Sequence, residues 1–215
     1  GSEMCIRDSL LSACSDAQRF PAAYQSLHTP CIPKKGEGSL PLDHRLLSVY
    51  SAVFRVEAGA WFHHLRPWLD SITHPMLAGG IAGREPVEVA WDAQSDLEHS
   101  LLCKLGTAMA SYDYKKFFDS FEPTFTRDML IHVGLPAPLA HAWHHLHTNT
   151  IRTIKFGPTL GTPFPATCGI GQGDPLSLIP AIVLVSWQFH MVNTLYPNLT
   201  MGACVDDRNF RGPIN

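Results

Sequence analysis

Two carboxylate positions in this chain have the setting that phosphoryl or nucleotidyl transfer requires. Asp113 ends the apolar run Thr107–Tyr112, within the stretch SYDYKKFFD from Ser111 to Asp119. Asp206 and Asp207 sit side by side after a second apolar run, Met201–Val205. Transfer by two metal ions needs acidic oxygens converging on cations a few ångströms apart, and Mg²⁺ takes hard oxygen ligands while keeping part of its water shell. A strand end and a neighbouring hairpin turn can bring such side chains together. Adjacent carboxylates repel, so a counter-charge such as Mg²⁺ or Mn²⁺ gives a reason for keeping the pair at one turn. Singly, neither pattern is specific. An Asp at a strand end is commonly a turn residue, and an Asp-Asp pair is commonly a solvated loop.

A glycine-rich stretch, Gly169-Ile170-Gly171-Gln172-Gly173-Asp174-Pro175-Leu176-Ser177, precedes a long apolar segment. Its glycines let the backbone approach a ligand closely, Gln172 offers both a donor and an acceptor, and Ser177 can cap a helix start. A phosphate-binding P-loop is excluded because the closing Gly-Lys-Ser/Thr is missing. An ordinary strand-to-helix loop is the plain alternative.

The elements that must carry these residues are legible as periodicities. Tyr50, Phe54, Trp61, Leu65, Trp68 and Ile72 recur at three- and four-residue steps, the spacing of one buried helix face, with Pro67 expected to kink or end that helix. IPKKGEGSLP reads as strand, turn, strand. Ser95–Leu105, closed by Gly106, Thr126–Val133, Pro138–His147 and Leu176–Tyr196 read as helices. Thr107–Tyr112 reads as a short buried strand, Thr153–Phe156 as another. Met201–Val205, a tight turn at Asp206-Asp207 and a return strand from Asn209 read as a hairpin.

Composition narrows the class. The 215 residues suffice for one sizeable core and a second small lobe, and the apolar share of 45% is ordinary for a globular chain. Six scattered cysteines form no CxxC pair, so neither a zinc knuckle nor a disulfide framework is indicated, and an intracellular setting is expected. The apolar stretch Leu176–Trp187 is interrupted and too short to span a bilayer. A net charge of −3 counts against a complete nucleic-acid-binding protein and suits a piece lacking its more basic parts.

The motifs, taken in order, resemble the reverse transcriptase family. Thr29-Pro30-Cys31-Ile32-Pro33-Lys34-Lys35-Gly36 is similar to the first fingers motif, and Leu42-Asp43-His44-Arg45-Leu46-Leu47-Ser48 to the second. Asp113 through Phe118 resembles the first palm motif, Gly171 through Ser177 the QGxPxS motif, and Cys204-Val205-Asp206-Asp207 the YxDD motif. All five occur in family order over about residues 28–211, with spacings suited to the non-long-terminal-repeat retrotransposon and group II intron branch. Two positions depart from the pattern: Leu46 replaces a proline, and Cys204 replaces Tyr or Phe, with Arg208 following the acidic pair.

The resemblance implies an α/β (α+β) fold of right-hand polymerase type, with fingers and an antiparallel palm sheet packed on helices, the thumb missing. Expected boundaries are fingers at 10–106 and palm at 107–215, truncated eight residues past Asp207. It implies an RNA-directed DNA polymerase that moves a nucleotide from a dNTP to a primer 3′-hydroxyl, with an RNA template and a DNA primer as partners. Asp113, Asp206 and Asp207 match the metal ligands. Lys34 or Lys35, with Arg45, would neutralise the triphosphate, Lys34 being favoured because it follows Pro33. Gln172 and Gly173 would contact the nucleotide, and Phe118 resembles the steric gate that excludes a ribose 2′-hydroxyl. The rivals are an RNA-dependent RNA polymerase palm, in which Asp119 could serve as a second acid, and a non-catalytic decayed copy.

Two further features stand apart from these motifs. His141, His144 and His145 fall within one helical turn, and His63-His64 form a pair, but no acidic or thiol partner lies beside them in sequence. Residues 1–9, GSEMCIRDS, read as a preparation artefact, because Glu3 to Asp8 resemble the translated transposase adapter of sequencing libraries.

Overall fold

The computed structural model describes Ser9 and residues 12–14, 16–34 and 44–214. The strands, in chain order, are β1 (Ser26–Pro33), β2 (His44–Leu46), β3 (Leu77–Ala78), β4 (Thr107–Tyr112), β5 (Ile151–Phe156), β6 (Thr159–Leu160), β7 (Phe164–Pro165), β8 (Thr200–Cys204) and β9 (Asp207–Pro213). The helices are α1 (Ala52–Ile72), α2 (Pro86–Leu102), α3 (Pro123–His132), α4 (Ala137–Thr148) and α5 (Leu178–Leu195). They form two compact units, each discontinuous in sequence. One joins Gly1–His64 to Phe118–Ser177, the other Leu65–Phe117 to Leu178–Asn215. Both units thus draw on residues from either side of the 106/107 boundary.

The first unit holds a sheet of order β2-β1-β5-β6, with β7 also on β5. β1 runs parallel to β5, Ser26 opposite Ile151, and antiparallel to β2, Ile32 opposite Arg45. Its core is aromatic. Phe54 meets Phe20 edge-on at 5.4 Å and Tyr50 at 5.1 Å, both distances between ring centroids. α3 is started by Glu122, whose carboxylate accepts the backbone N–H groups of Thr124 and Phe125 at 2.9 and 2.6 Å. Those bonds favour its charged form and hold its pKa down.

The second unit holds a sheet of order β3-β8-β9-β4. α2 opens with Pro86, and the Glu88 side chain accepts from the Glu85 N–H at 3.0 Å. α5 contributes buried Ile182, Val185 and Phe189, and the Phe189 ring lies 5.7 Å from that of Phe210 on β9. Among the described residues one segment, Pro175–Leu195, is long and apolar enough to cross a membrane, against the reading of that stretch as too short. The burial of more than half of it within the protein is that of a core helix.

Three other expectations are corrected. Pro67 does not end its helix: α1 continues through it to Ile72, with Pro67 itself exposed rather than packed in the core. α2 begins at Pro86, nine residues before the expected Ser95, because the capping residues precede the apolar periodicity. β4 is a strand, but an exposed one. Among the described residues it pairs with β9 alone, and Met109 and Tyr112 are 43% and 55% accessible.

Candidate functional site

The hairpin that carries the acidic pair turns one residue earlier than expected. Cys204 pairs with Asp207 across it, so Val205 and Asp206 form the two-residue loop and Asp207 is the first residue of β9. Val205 has φ +55°, the left-handed conformation that a two-residue hairpin turn demands and that a β-branched side chain resists. The loop is shored up from β3. Gly79, at φ +87°, comes so close that a Cβ there would lie 2.8 Å from Val205 Cγ2. Strain of this kind persists where surrounding structure over-determines it, and it concentrates at functional sites.

β4 delivers the third carboxylate. It pairs antiparallel with β9, Ala108 opposite Gly212 through Tyr112 opposite Arg208. Asp113 leaves β4 at the end of the sheet where the hairpin turns. Asp113, Asp206 and Asp207 are therefore brought to one end of one sheet by backbone register. Among the described residues no three His, Cys, Asp or Glu side chains gather closely enough to hold a metal ion. The donor chemistry fits a hard divalent cation, and the strand ends supply the acids, without a closed ligand set.

Arg208 ties these two strand ends together, a role its place after the acidic pair did not disclose. Its guanidinium lies 4.1 Å from the centre of the Tyr114 ring and 5.2 Å from that of Phe117, and donates to Gln188 Oε1 at 2.8 Å. The residue after Asp207 is thus clamped to the residue after Asp113. Burial lowers the Arg208 pKa, and Tyr114 and Asp206 act in the opposite sense. The Cys204 thiol is pushed up by burial and by the neighbouring charges of Asp207 and Asp206. The clamp was not legible in the sequence, because pairing Tyr114 with Arg208 requires the β4–β9 register.

Five of the nucleotide-contact candidates, Lys34, Arg45, Phe118, Gln172 and Gly173, lie in the first unit. Lys34 follows the last residue of β1, and Arg45 sits on β2 opposite Ile32; both are exposed. Three residues after Arg45, the Ser48 N–H donates to the Gln172 carbonyl at 2.8 Å. This docks the glycine-rich loop on the segment that directly follows the strand carrying the arginine. Gly173 has φ +125°, and a Cβ there would collide with the Ser48 carbonyl. The Phe118 carbonyl accepts from the Ile170 N–H at 2.9 Å, and Gly169 packs on Asp119, so the Phe118 turn abuts the start of the same loop. Lys35 lies outside the described residues.

No family model and no curated protein sequence matches the chain. Solved structures do. Telomerase from Candida tropicalis, in complex with the TWJ fragment of telomeric RNA, aligns over 96% of this chain and 40% of its own, with TM-score 0.63 and 14% identity. Telomerase from Candida albicans, in complex with the same kind of fragment, aligns over 99% and 43%, at TM-score 0.62 and 13% identity. An apo telomerase from Candida tropicalis truncated from its C-terminal domain aligns over 88% and 44%, at TM-score 0.60 and 16% identity. The chain spans less than half the length of each of these proteins. The fold is therefore that of a reverse-transcriptase-like, palm-type polymerase, with sheets packed on helices.

Proposed function

We propose that this chain is a catalytic-core segment of an RNA-directed DNA polymerase encoded by a retroelement, transferring a nucleotide from a dNTP to a primer 3′-hydroxyl. The observation that carries the reading is Asp113 and the Asp206-Asp207 hairpin at one end of one sheet, within a polymerase-type fold. Asp113, Asp206 and Asp207 would hold divalent cations, Mg²⁺ or Mn²⁺, which when bound supply charge stabilisation for an in-line displacement at phosphorus. Arg45 and Lys34 neutralise and orient the triphosphate, Arg45 by paired hydrogen bonds. Gln172 and Gly173 present a side-chain amide and an open backbone to the nucleotide. Phe118 excludes the 2′-hydroxyl of a ribonucleotide. An RNA template and a DNA primer are the partners, in an intracellular setting. The RNA-bound telomerase neighbours are consistent with a nucleic-acid partner.

The test is single-nucleotide addition to a DNA primer on an RNA template. With a net charge of −3 the chain holds nucleic acid weakly, so one-step addition at low salt is the measurement rather than long extension. Mg²⁺-dependent dNTP addition that disappears in Asp206→Asn supports the reading. Preferential addition of ribonucleotides overturns it in favour of an RNA polymerase.

A further inference from the structure

The glycine-rich loop turns around a buried ionisable side chain. The Asp174 side chain is wholly inaccessible, and so, within 1%, is that of His147 on α4. Asp174 Oδ1 accepts the Leu176 N–H at 2.9 Å. Its Oδ2 accepts the Trp143 indole N–H at 3.1 Å and lies 3.0 Å from His147 Nε2. The loop backbone closes around the same residue. The Asp174 N–H reaches the Gly171 carbonyl at 3.2 Å, the Ser177 N–H reaches the Asp174 carbonyl at 3.1 Å, and the Ser177 hydroxyl also bonds Gly171 at 3.2 Å. Tyr50 closes the far side, since a Cβ on Gly171 would collide with its hydroxyl.

A buried carboxylate is tolerated only when its oxygens are satisfied, and an ionised one accepts but cannot donate. Here one N–H from the loop and the ring N–H groups of Trp143 and His147 on one face of α4 meet that demand. The two residues at the tip, Gln172 and Gly173, are the ones left facing outward, half-buried and exposed respectively. The arrangement therefore pins the base of the loop to a helix while leaving its tip available.

We propose that Asp174, His147 and Trp143 are positioning residues that set Gln172 and Gly173 for the incoming nucleotide, an inference that rests on the polymerase reading above. None of the three reaches the nucleotide. They act through the loop, as supporting groups do when they hold a contact within fractions of an ångström. The role passes unseen in the sequence, where Asp174 is one member of a glycine-rich loop and His147 one histidine among twelve.

The test compares His147→Leu, which removes the donor, with His147→Gln, which keeps an N–H at similar reach. Two readouts are taken on the whole chain: hydrogen exchange of the Gln172 and Gly173 amides, and affinity for Mg²⁺–dATP. His147→Leu is expected to speed exchange at the tip and weaken dATP binding about tenfold, with His147→Gln restoring both to within about twofold. Should His147→Leu fail to fold, Trp143→Phe, which keeps ring volume and loses one donor, is read the same way. Unchanged exchange and affinity in a folded donor-less variant overturn the proposal. Failure of the polymerase reading looks different: the unmutated chain then binds no dATP, and exchange at the loop tip alone decides whether the network positions it.

Discussion

Tyr112 of β4 stands opposite Arg208 of β9, and the next residues outward on the two strands are Asp113 and Asp207. This register, together with the Cys204–Asp207 pair across the hairpin, brings three acids that are distant in sequence to one end of a sheet. The exposed β4 edge leaves its end residues open to solvent rather than packed in a core.

Removing any of these acids is expected to abolish nucleotide addition without unfolding the chain. Asp113→Asn and Asp206→Asn should each lower single-turnover addition by about a hundredfold or more, the scale at which loss of metal support acts. Circular dichroism should match the unmutated protein. Activity of Asp113→Asn within about twofold of the unmutated protein excludes a metal-binding role for that residue.

Sugar selection tests Phe118. A bulky ring discriminates by disfavouring the wrong ligand, so Phe118→Val should admit ribonucleotides while deoxynucleotide addition stays measurable. Single-step competition between dATP and ATP reads the ratio. An unchanged preference assigns the ring to packing of the Phe118–Ser120 turn on the glycine-rich loop.

Glu57 makes stability depend on pH. It is buried beneath Cys14 and Tyr24, one oxygen accepting the Tyr24 hydroxyl at 3.1 Å. Burial raises its pKa above the ordinary 4.5, and the hydrogen bonds from Tyr24 and Cys14 only partly oppose that. The Cys14 thiol beside it is pushed up to about 11, chiefly by burial and then by Glu57. With the folded pKa raised, the folded state holds the proton more tightly than the unfolded one. The stability from this group is complete below pH 4.5 and is lost as pH rises through the folded pKa. Glu57→Gln should therefore raise the melting midpoint at pH 8 by about 2–4 °C and converge with the unmutated protein toward pH 4. Thermal melts across that range check it, and a midpoint lowered equally at both ends contradicts it.

Two glycines should respond oppositely to alanine. Gly59 lies inside α1 with nothing within 4 Å of where an added methyl group would sit, so Gly59→Ala should stabilise by about 0.5–1 kcal/mol. Gly173 combines φ +125° with the Ser48 carbonyl, so Gly173→Ala should destabilise by about 1–3 kcal/mol and disturb the loop tip. Urea midpoints separate the two.

The order of chemistry-bearing residues and most of the elements were written in the sequence itself. An apolar run before Asp113, another before Asp206-Asp207 and a glycine-rich stretch before a long apolar helix are local patterns, set by side-chain period and turn chemistry over a few residues. Tertiary structure decided what those patterns could not. The turn moved to Val205-Asp206 because Cys204 pairs with Asp207, and pairing is a relation between strands. β4 proved exposed because apolar composition does not say whether a strand has one neighbour or two. Arg208 met Tyr114, and Asp174 met His147 and Trp143, across separations of 94, 27 and 31 residues. Contacts of that range leave no periodic trace, since each partner satisfies its own local pattern whether or not the other is present.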